Sequence, residues 1–267
     1  MYGNKYAQFL LEKELGSKLL ASNKEERRIA YKSLYGELFS KFPHIAYNPQ
    51  SDIVHKLEWQ IKFLKPFLNK SLVFMEIGAG NCLLSIEVCK HVKQVIAYEV
   101  ADAIPHIENK PSNLILKIFD GIDFDEVNDS VDIIYSNQVF EHLHPEDALW
   151  HVQQYFKFLK KGGKVVIITP HCLTGPHDIS RNYSKKPEGF HMKEYNYQEL
   201  KNILLNAGFL YPKFYIGNKK YGYYFFPNSI FVLLEKIYNK VPLNTRYRLK
   251  NNQILLNLFR IKMVAKK

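Results

Sequence analysis

Cysteine is scarce in this chain, and what there is follows no pattern. Of three cysteines, Cys82 and Cys89 are seven residues apart and Cys172 is remote. An odd count without paired spacing excludes a disulfide framework and a zinc knuckle, and points to a reduced, cytoplasmic protein. Long apolar runs are also missing. The nearest, Tyr221 to Leu234, is broken by Pro227, Asn228 and Ser229, so no membrane-spanning helix is expected. Met1 to Leu11 mixes Lys, Asn and Gln with apolar residues, unlike a secretory leader. Internal repeats and low-complexity linkers are absent. What remains, 267 residues at 46% apolar, suffices for one large core.

Charge is divided along the chain. Ser71 to Trp150 holds fourteen acids against four bases, net −10; Lys201 to Lys267 holds thirteen bases against Glu235 alone, net +12. Two readings fit this division: a solvated lysine-rich surface in a compositionally biased chain, or a basic cap over an anionic substrate.

The periodicity divides the chain as well. Residues 1–70 read as a helical extension. Phe9, Leu10, Leu20, Ile29, Leu34 and Leu38 are interleaved with charges, and turns are expected at Phe42-Pro43 and Asn48-Pro49. A helix from Asp52 to about Leu68 places Ile53, Leu57, Ile61 and Leu64 on one face. Short apolar runs then alternate with helical patterns: Ser71–Ile77, Gln94–Val100, Asn113–Phe119, Val131–Ser136 and Gly163–Thr169. That rhythm predicts an α/β fold, a parallel sheet with helices on both faces. The core is expected over 71–216, with a histidine-rich loop at 170–196. A basic aromatic insertion at 217–257 precedes a last strand at 258–267.

The strongest local signal is Glu76-Ile77-Gly78-Ala79-Gly80-Asn81-Cys82. A strand runs into a glycine turn, and a helix opens behind it. Glycines permit a tight turn and close approach to a ligand, and the helix start offers free N–H groups. Glu76 can organise the loop and face a cationic amino group. Glu99, followed by Val100, ends the next strand nineteen residues after Gly80, where a carboxylate can accept from two ribose hydroxyls. Asp120-Gly121 ends the third strand and can meet an adenine edge. The dinucleotide fingerprint needs another glycine three residues after Gly80, but Leu83 stands there. That gap and the upstream Glu76 favour S-adenosylmethionine.

With these residues the sequence resembles the class I S-adenosylmethionine-dependent methyltransferases, small-molecule type. Cys82 occupies the position of their third loop glycine. Val131-Asp132 through Glu141-His142-Leu143 resembles their fourth strand, and Leu159 through Ile168, with Gly162-Gly163, their approach to the fifth. The resemblance implies a Rossmann-like fold with a seven-stranded, mostly parallel sheet whose last strand is antiparallel. It further implies Asn137 and Gln138 beside the methionine part of the cofactor, and S-adenosylhomocysteine as product. The pattern Thr174 to Asp178, then Gly189 to Tyr195, is similar to methyltransferases of bacterial surface-polysaccharide (capsule) clusters, including those acting on phosphoramidate.

Methyl transfer is an in-line displacement, so alignment is the main requirement, and a hydroxyl acceptor also needs a base. His142, after the fourth strand, is the first candidate; His177 and His191, in the loop after the fifth, are the others. An anionic acceptor would instead use cationic holders, and His171, Asp178, Arg181 and Tyr195 are the expected substrate contacts. Each histidine has a plain alternative as a packing or capping residue. The spacing fits no standard metal motif, and no metal is expected. An RNA or DNA substrate is disfavoured, because Ser136-Asn137-Gln138-Val139 lacks the Pro-Pro pattern of base amino-group methylation. A lipid-linked acceptor remains open, since Ser229 to Tyr238 carries apolar residues suited to a bilayer surface. The oligomeric state and the identity of the acceptor are not written in these motifs.

Overall fold

The computed structural model describes residues 2–43, 50–100, 109–218 and 220–267. The expected turn at Asn48-Pro49 and the side chain of Ile53 lie outside the described residues.

Strands β1 (Val73–Ile77), β2 (Gln94–Glu99), β3 (Leu114–Ile118), β4 (Val131–Asn137) and β5 (Leu159–Thr169) pair in parallel in the order β3-β2-β1-β4-β5. The sheet continues antiparallel through β8 (Ile261–Lys266), β6 (Leu210–Asn218) and β7 (Gly222–Phe226). The central strands are apolar on both faces because both are covered. Met75, Ile77, Ile134 and Val165 belong to one buried cluster, while Phe74, Ala97, Ile133 and Val166 belong to the other.

The sheet thus has eight strands, against the seven implied by the resemblance. The additional strand, β7, lies inside the segment read as an insertion. It forms because Gly217 (φ 140°) and Gly222 (φ 88°) allow the chain to reverse. The Asn218 side chain fastens the turn by accepting from the backbone N–H of Lys220 and Tyr221. The last strand starts at Ile261, not Leu258. Leu258 and Phe259 complete a helix whose first turn is capped by Asn252.

Helices α1 (Tyr2–Ala21), α2 (Lys24–Lys41), α5 (Pro145–Phe158) and α6 (Tyr197–Asn206) contribute to the cluster on one face. Helices α3 (Gln50–Leu64) and α4 (Leu83–Cys89) cover the other. Three further helices, α7 (Asn228–Asn239), α8 (Leu243–Arg248) and α9 (Gln253–Phe259), fill the connection from β7 to β8. Capping boxes start α2 (Asn23 with Glu26) and α6 (Asn196 with Glu199), each satisfying backbone donors that a helix start leaves open.

One buried ionic network fixes the N-terminal helices to the core. The Arg27 guanidinium, 1% exposed, donates to both oxygens of Asp147 at 2.7 and 2.9 Å, and to Glu146 at 2.9 Å. Tyr31 donates its hydroxyl to Asp147 and accepts from the His144 N–H, both at 2.8 Å. Removing one partner of a buried pair leaves an uncompensated charge, at about 3–5 kcal/mol. Asp147→Ala should therefore lower the unfolding free energy by about that much, measured by urea denaturation. A loss below about 1 kcal/mol, the value of an exposed pair, would show that the network is not a clamp.

Candidate active site

The C-terminal ends of the parallel strands bring the glycine turn, the β2 carboxylate and the β4 loop together. Gly78 has φ 71°, and a Cβ added there would meet Val139 Cγ2 at 2.4 Å. Close approach of two loops therefore demands glycine at this position. Gly80 is also left-handed (φ 54°), and so is Cys82 (φ 59°), which is fully buried. The position of the third loop glycine thus keeps its left-handed geometry with a larger residue in it. Gln138, at the end of β4, is a second non-glycine residue in this region of backbone space, at φ 57°. Such residues cost about 1–3 kcal/mol and gather at functional sites.

A cavity opens at this edge. Gly78, Glu99, Val100, Gly121, Gln138 and His142 all line it. Glu76, Ala79, Gly80, Asp120 and Asn137 are not among its lining residues. Glu76 is buried and its Oε2 accepts from Ser85 Oγ at 2.5 Å; burial pushes its carboxyl up to about 8. Glu99 accepts from the Gly80 N–H at 2.7 Å and the Val100 N–H at 2.8 Å, tying the ends of β1 and β2 together. Ala79 N–H donates to the Tyr98 carbonyl at 3.1 Å. Asp120 is turned to Arg28 at 2.8 Å and to the N–H groups of Ile122 and Asp123, so Gly121 rather than Asp120 faces the cavity. Asn137 donates to Gln60 at 3.3 Å, while its buried Oδ1 has no hydrogen-bond partner among the described residues.

Sequence reasoning missed an entire wall. Tyr31, Tyr35 and Phe39, at i, i+4 and i+8 on α2, line the cavity together with Phe119 and His151. The helical spacing of those three aromatics was the available signal. His151 is buried, and its ring nitrogens contact the Gly121 carbonyl at 2.7 Å and the Tyr155 hydroxyl at 3.0 Å.

The catalytic candidates lie close by. His142 Nδ1 is 2.9 Å from the Phe190 carbonyl, which makes Nδ1 the protonated nitrogen and leaves Nε2 with its lone pair. The His142 and His191 rings stand edge to face with centroids 4.8 Å apart. Desolvation pushes His142 down to about 3. His191 Nδ1 is 2.8 Å from Glu194 Oε1; burial lowers the histidine and raises the carboxyl. Glu194 Oε1 also accepts from the His177 backbone N–H, at 2.6 Å. Glu141 is fully buried, accepts from Thr169 at 2.9 Å through Oε2, and has no partner for Oε1 among the described residues. Glu141, His142 and His191 offer three potential metal-ligand atoms within 4.8 Å of one another.

A second cavity shares Gln138 with the first. His171, Thr174, His177, Arg181 and Arg260 line it, and no carboxylate among the described residues does. His171 is fully buried, 3.3 Å from Glu235, and desolvation lowers it despite that neighbour. His177 Nε2 lies 3.0 Å from Thr174 Oγ1 and 3.2 Å from the His171 carbonyl; burial lowers it as well. Arg181 is anchored on the Lys250 carbonyl and Asn251 at 2.7 and 2.8 Å. Two expected substrate contacts stand elsewhere. Asp178 caps the short turn at Ile179–Asn182 and accepts from the Gly189 N–H at 2.8 Å. Tyr195 is 1% exposed, packs against Phe140 and lines neither cavity. Arg260, from the chain entering β8, was not anticipated from the sequence.

Comparison with known proteins shows the family and the fold. A methyltransferase-domain family model matches residues 50–211, more than half of the chain. A probable S-adenosylmethionine-dependent methyltransferase of Mycobacterium tuberculosis is 26% identical over 137 residues, 51% of this chain and 48% of the relative. The chain thus spans about half the length of the curated relatives it matches. The structure resembles Haemonchus contortus phosphoethanolamine N-methyltransferase 1, with TM-score 0.59, 14% identity, and coverage of 92% of this chain and 50% of that one. It also resembles an S-adenosylmethionine-dependent methyltransferase from Archaeoglobus fulgidus, with TM-score 0.54, 17% identity, and coverage of 87% and 99%. The chain belongs to the methyltransferase-domain family, in the class I, S-adenosylmethionine-dependent fold.

The buried Glu76 gives a test of the glycine turn. Its raised value means that the neutral carboxyl is favoured in the fold. That stability is complete below the ordinary carboxylate value of 4.5 and is lost as pH rises through about 8. Glu76→Gln should raise the melting temperature of the free protein at about pH 9. It should also weaken S-adenosylhomocysteine binding by about ten-fold or more, through loss of a charge-assisted contact, read by calorimetry. Unchanged binding would remove Glu76 from the cofactor's amino group.

Proposed function

We propose that the protein transfers a methyl group from S-adenosylmethionine to an oxygen, or secondarily a nitrogen, of a small anionic acceptor. Candidate acceptors are a phosphorylated, phosphoramidate or sugar compound on the way to a surface glycan. The observation that carries this reading is the pair of cavities meeting at Gln138, one built of glycine turns and aromatics, the other of His and Arg with no acid among the described residues.

The first cavity fits the cofactor. Gly78 brings the β1 turn to its wall, Glu99 stands at the end of β2, and the rings of Tyr31, Tyr35 and Phe119 supply flat apolar walls. When bound there, S-adenosylmethionine supplies an electrophilic methyl carbon. Glu76 would face its amino group, Gly78, Ala79 and Gly80 its carboxylate side, Glu99 and Val100 its ribose, and Gly121 its adenine, with Asp120 holding that loop through Arg28. Asn137 and Gln138 would border the methionine chain.

Arg181 and His171 would hold the acceptor's negative group, with Asp178 and Tyr195 shaping the loop and floor behind them. His142 would take the acceptor's proton through Nε2, its Nδ1–H held by the Phe190 carbonyl. His191, fixed by Glu194, and His177 are the alternative bases. Burial keeps His142 neutral in the free protein, and the acceptor's negative group beside it would raise its proton affinity in the complex.

Methyl transfer to a panel of phosphorylated sugars, read by mass spectrometry, tests the assignment. Arg181→Met should raise KM about ten-fold or more and change kcat less. His142→Gln should lower kcat by about 100-fold or more. For the wild type, kcat/KM should not fall through the ordinary histidine value near 6.5. A wild-type profile falling there, or unchanged kinetics in both variants, would overturn the role assignments. Chelator treatment should leave turnover unchanged; its loss would reassign Glu141, His142 and His191 to a divalent ion.

A membrane-bound acceptor is the second reading. The outer face of α7 exposes Ile230, Leu233 and Ile237, beside Tyr224, Phe225 and Phe226 on β7. No helix among the described residues is long and apolar enough to cross a membrane, so contact would be peripheral. Co-sedimentation with anionic vesicles would favour this reading, and its absence would favour a free acceptor.

A further inference from the structure

Two of the chain's Lys and Arg side chains are buried among the described residues, Arg27 and Lys262. Arg27 lies in a bidentate carboxylate pair. Lys262 has no counterpart to that pair. It is 4% exposed on β8, opposite Ile168 of β5 and two residues from the apolar Val264. Its ammonium makes no hydrogen bond or ion pair among the described residues, and its recorded ring contact is Tyr223, with the centroid 6.0 Å away. A leucine or methionine would pack on this face of the sheet without the desolvation that a lysine carries. Burial, reinforced by the charge of Arg260, pushes the Lys262 ammonium down to about 7.

Lys262 lines a third cavity with Trp59, Asn218, Tyr223, Asn257 and Arg260. Like the acceptor cavity, it has no acidic lining residue among the described residues. Arg260 borders both, so three cavities follow one another along the same sheet edge, linked by Gln138 and then Arg260. The third combines two cations, two amide side chains and two aromatic rings. That set suits a phosphoryl group joined to a ring that can lie against Trp59 or Tyr223.

We infer that Lys262 and Arg260 form a second anion subsite for a phosphoryl or diphosphoryl group of the acceptor, on the side away from the methylated atom. This rests on the acceptor reading above and extends it from one anionic group to two. The unpartnered lysine is the protein's half of an ion pair whose other half the anionic ligand would supply.

Inorganic pyrophosphate is the probe, titrated by calorimetry into the full chain and into Lys262→Met, Lys262→Arg and Arg181→Met. Wild type should bind. Lys262→Met should bind about ten-fold more weakly or less, Lys262→Arg should retain most of the affinity, and Arg181→Met should keep the dependence on Lys262. Without anion, Lys262→Met should melt higher than wild type, because an unpaired buried cation has been removed; a merely structural lysine would give the opposite sign. Binding of S-adenosylhomocysteine should be equal in wild type and Lys262→Met. No pyrophosphate binding to wild type, or equal binding to Lys262→Met, would overturn the subsite. Lys262-dependent pyrophosphate binding without S-adenosylhomocysteine binding would support the subsite while removing the methyltransferase reading.

Discussion

The buried pair of Arg27 and Asp147 is the constraint on which the cofactor cavity depends. It joins α2 to the first turn of α5, and Tyr31 extends it to the backbone of His144, just after the β4 loop. Once α2 is held there, Tyr31, Tyr35 and Phe39 become one wall of the cavity. Without that clamp, the glycine turn and Glu99 would face solvent instead of an enclosed space, and a flat aromatic ligand would lose much of its apolar contact. The network also sets the Tyr31 ring 2.8 Å from where a Cβ on Gly121 would lie, so glycine there answers to the same packing.

Electrostatics divides the sheet edge in two. On the proposed assignment, the cofactor side carries Glu99, and the acceptor side carries Arg181, Arg260 and Lys262. Burial then suppresses charge where it is not compensated. Glu76 and Glu141 are held toward the neutral acid, and His142 toward the neutral base. The cations gather where the acceptor is proposed to bind. That arrangement suits an acceptor that is negative away from the reacting atom. The acidic and basic halves of the chain thereby acquire positions around one edge.

Much of the core was legible because it rests on short-range rules. Strands β1 to β5 announce themselves as apolar runs, and Gly78 and Gly80 mark a turn that needs left-handed backbone. Other features follow from contacts between distant segments. Cys82 reads as a harmless substitution for glycine, yet its left-handed conformation appears only when the loop is built. Asp120 reads as an adenine contact, yet its carboxylate meets Arg28, ninety-two residues earlier in the chain. Strand β7 was hidden in an aromatic run that could as readily have been a packed helix face; its pairing with β6 settles the matter.

By itself the sequence determined the α/β alternation, the glycine turn and the acids at the ends of successive strands, because hydrophobic period and backbone sterics act within a few residues. Only the tertiary structure decided which side chains meet at the sheet edge. His142 lies against His191 across forty-nine positions, Arg260 joins two cavities, and Lys262 is buried without a carboxylate. Those outcomes depend on burial and on long-range pairing, and neither is a property of any local stretch of chain.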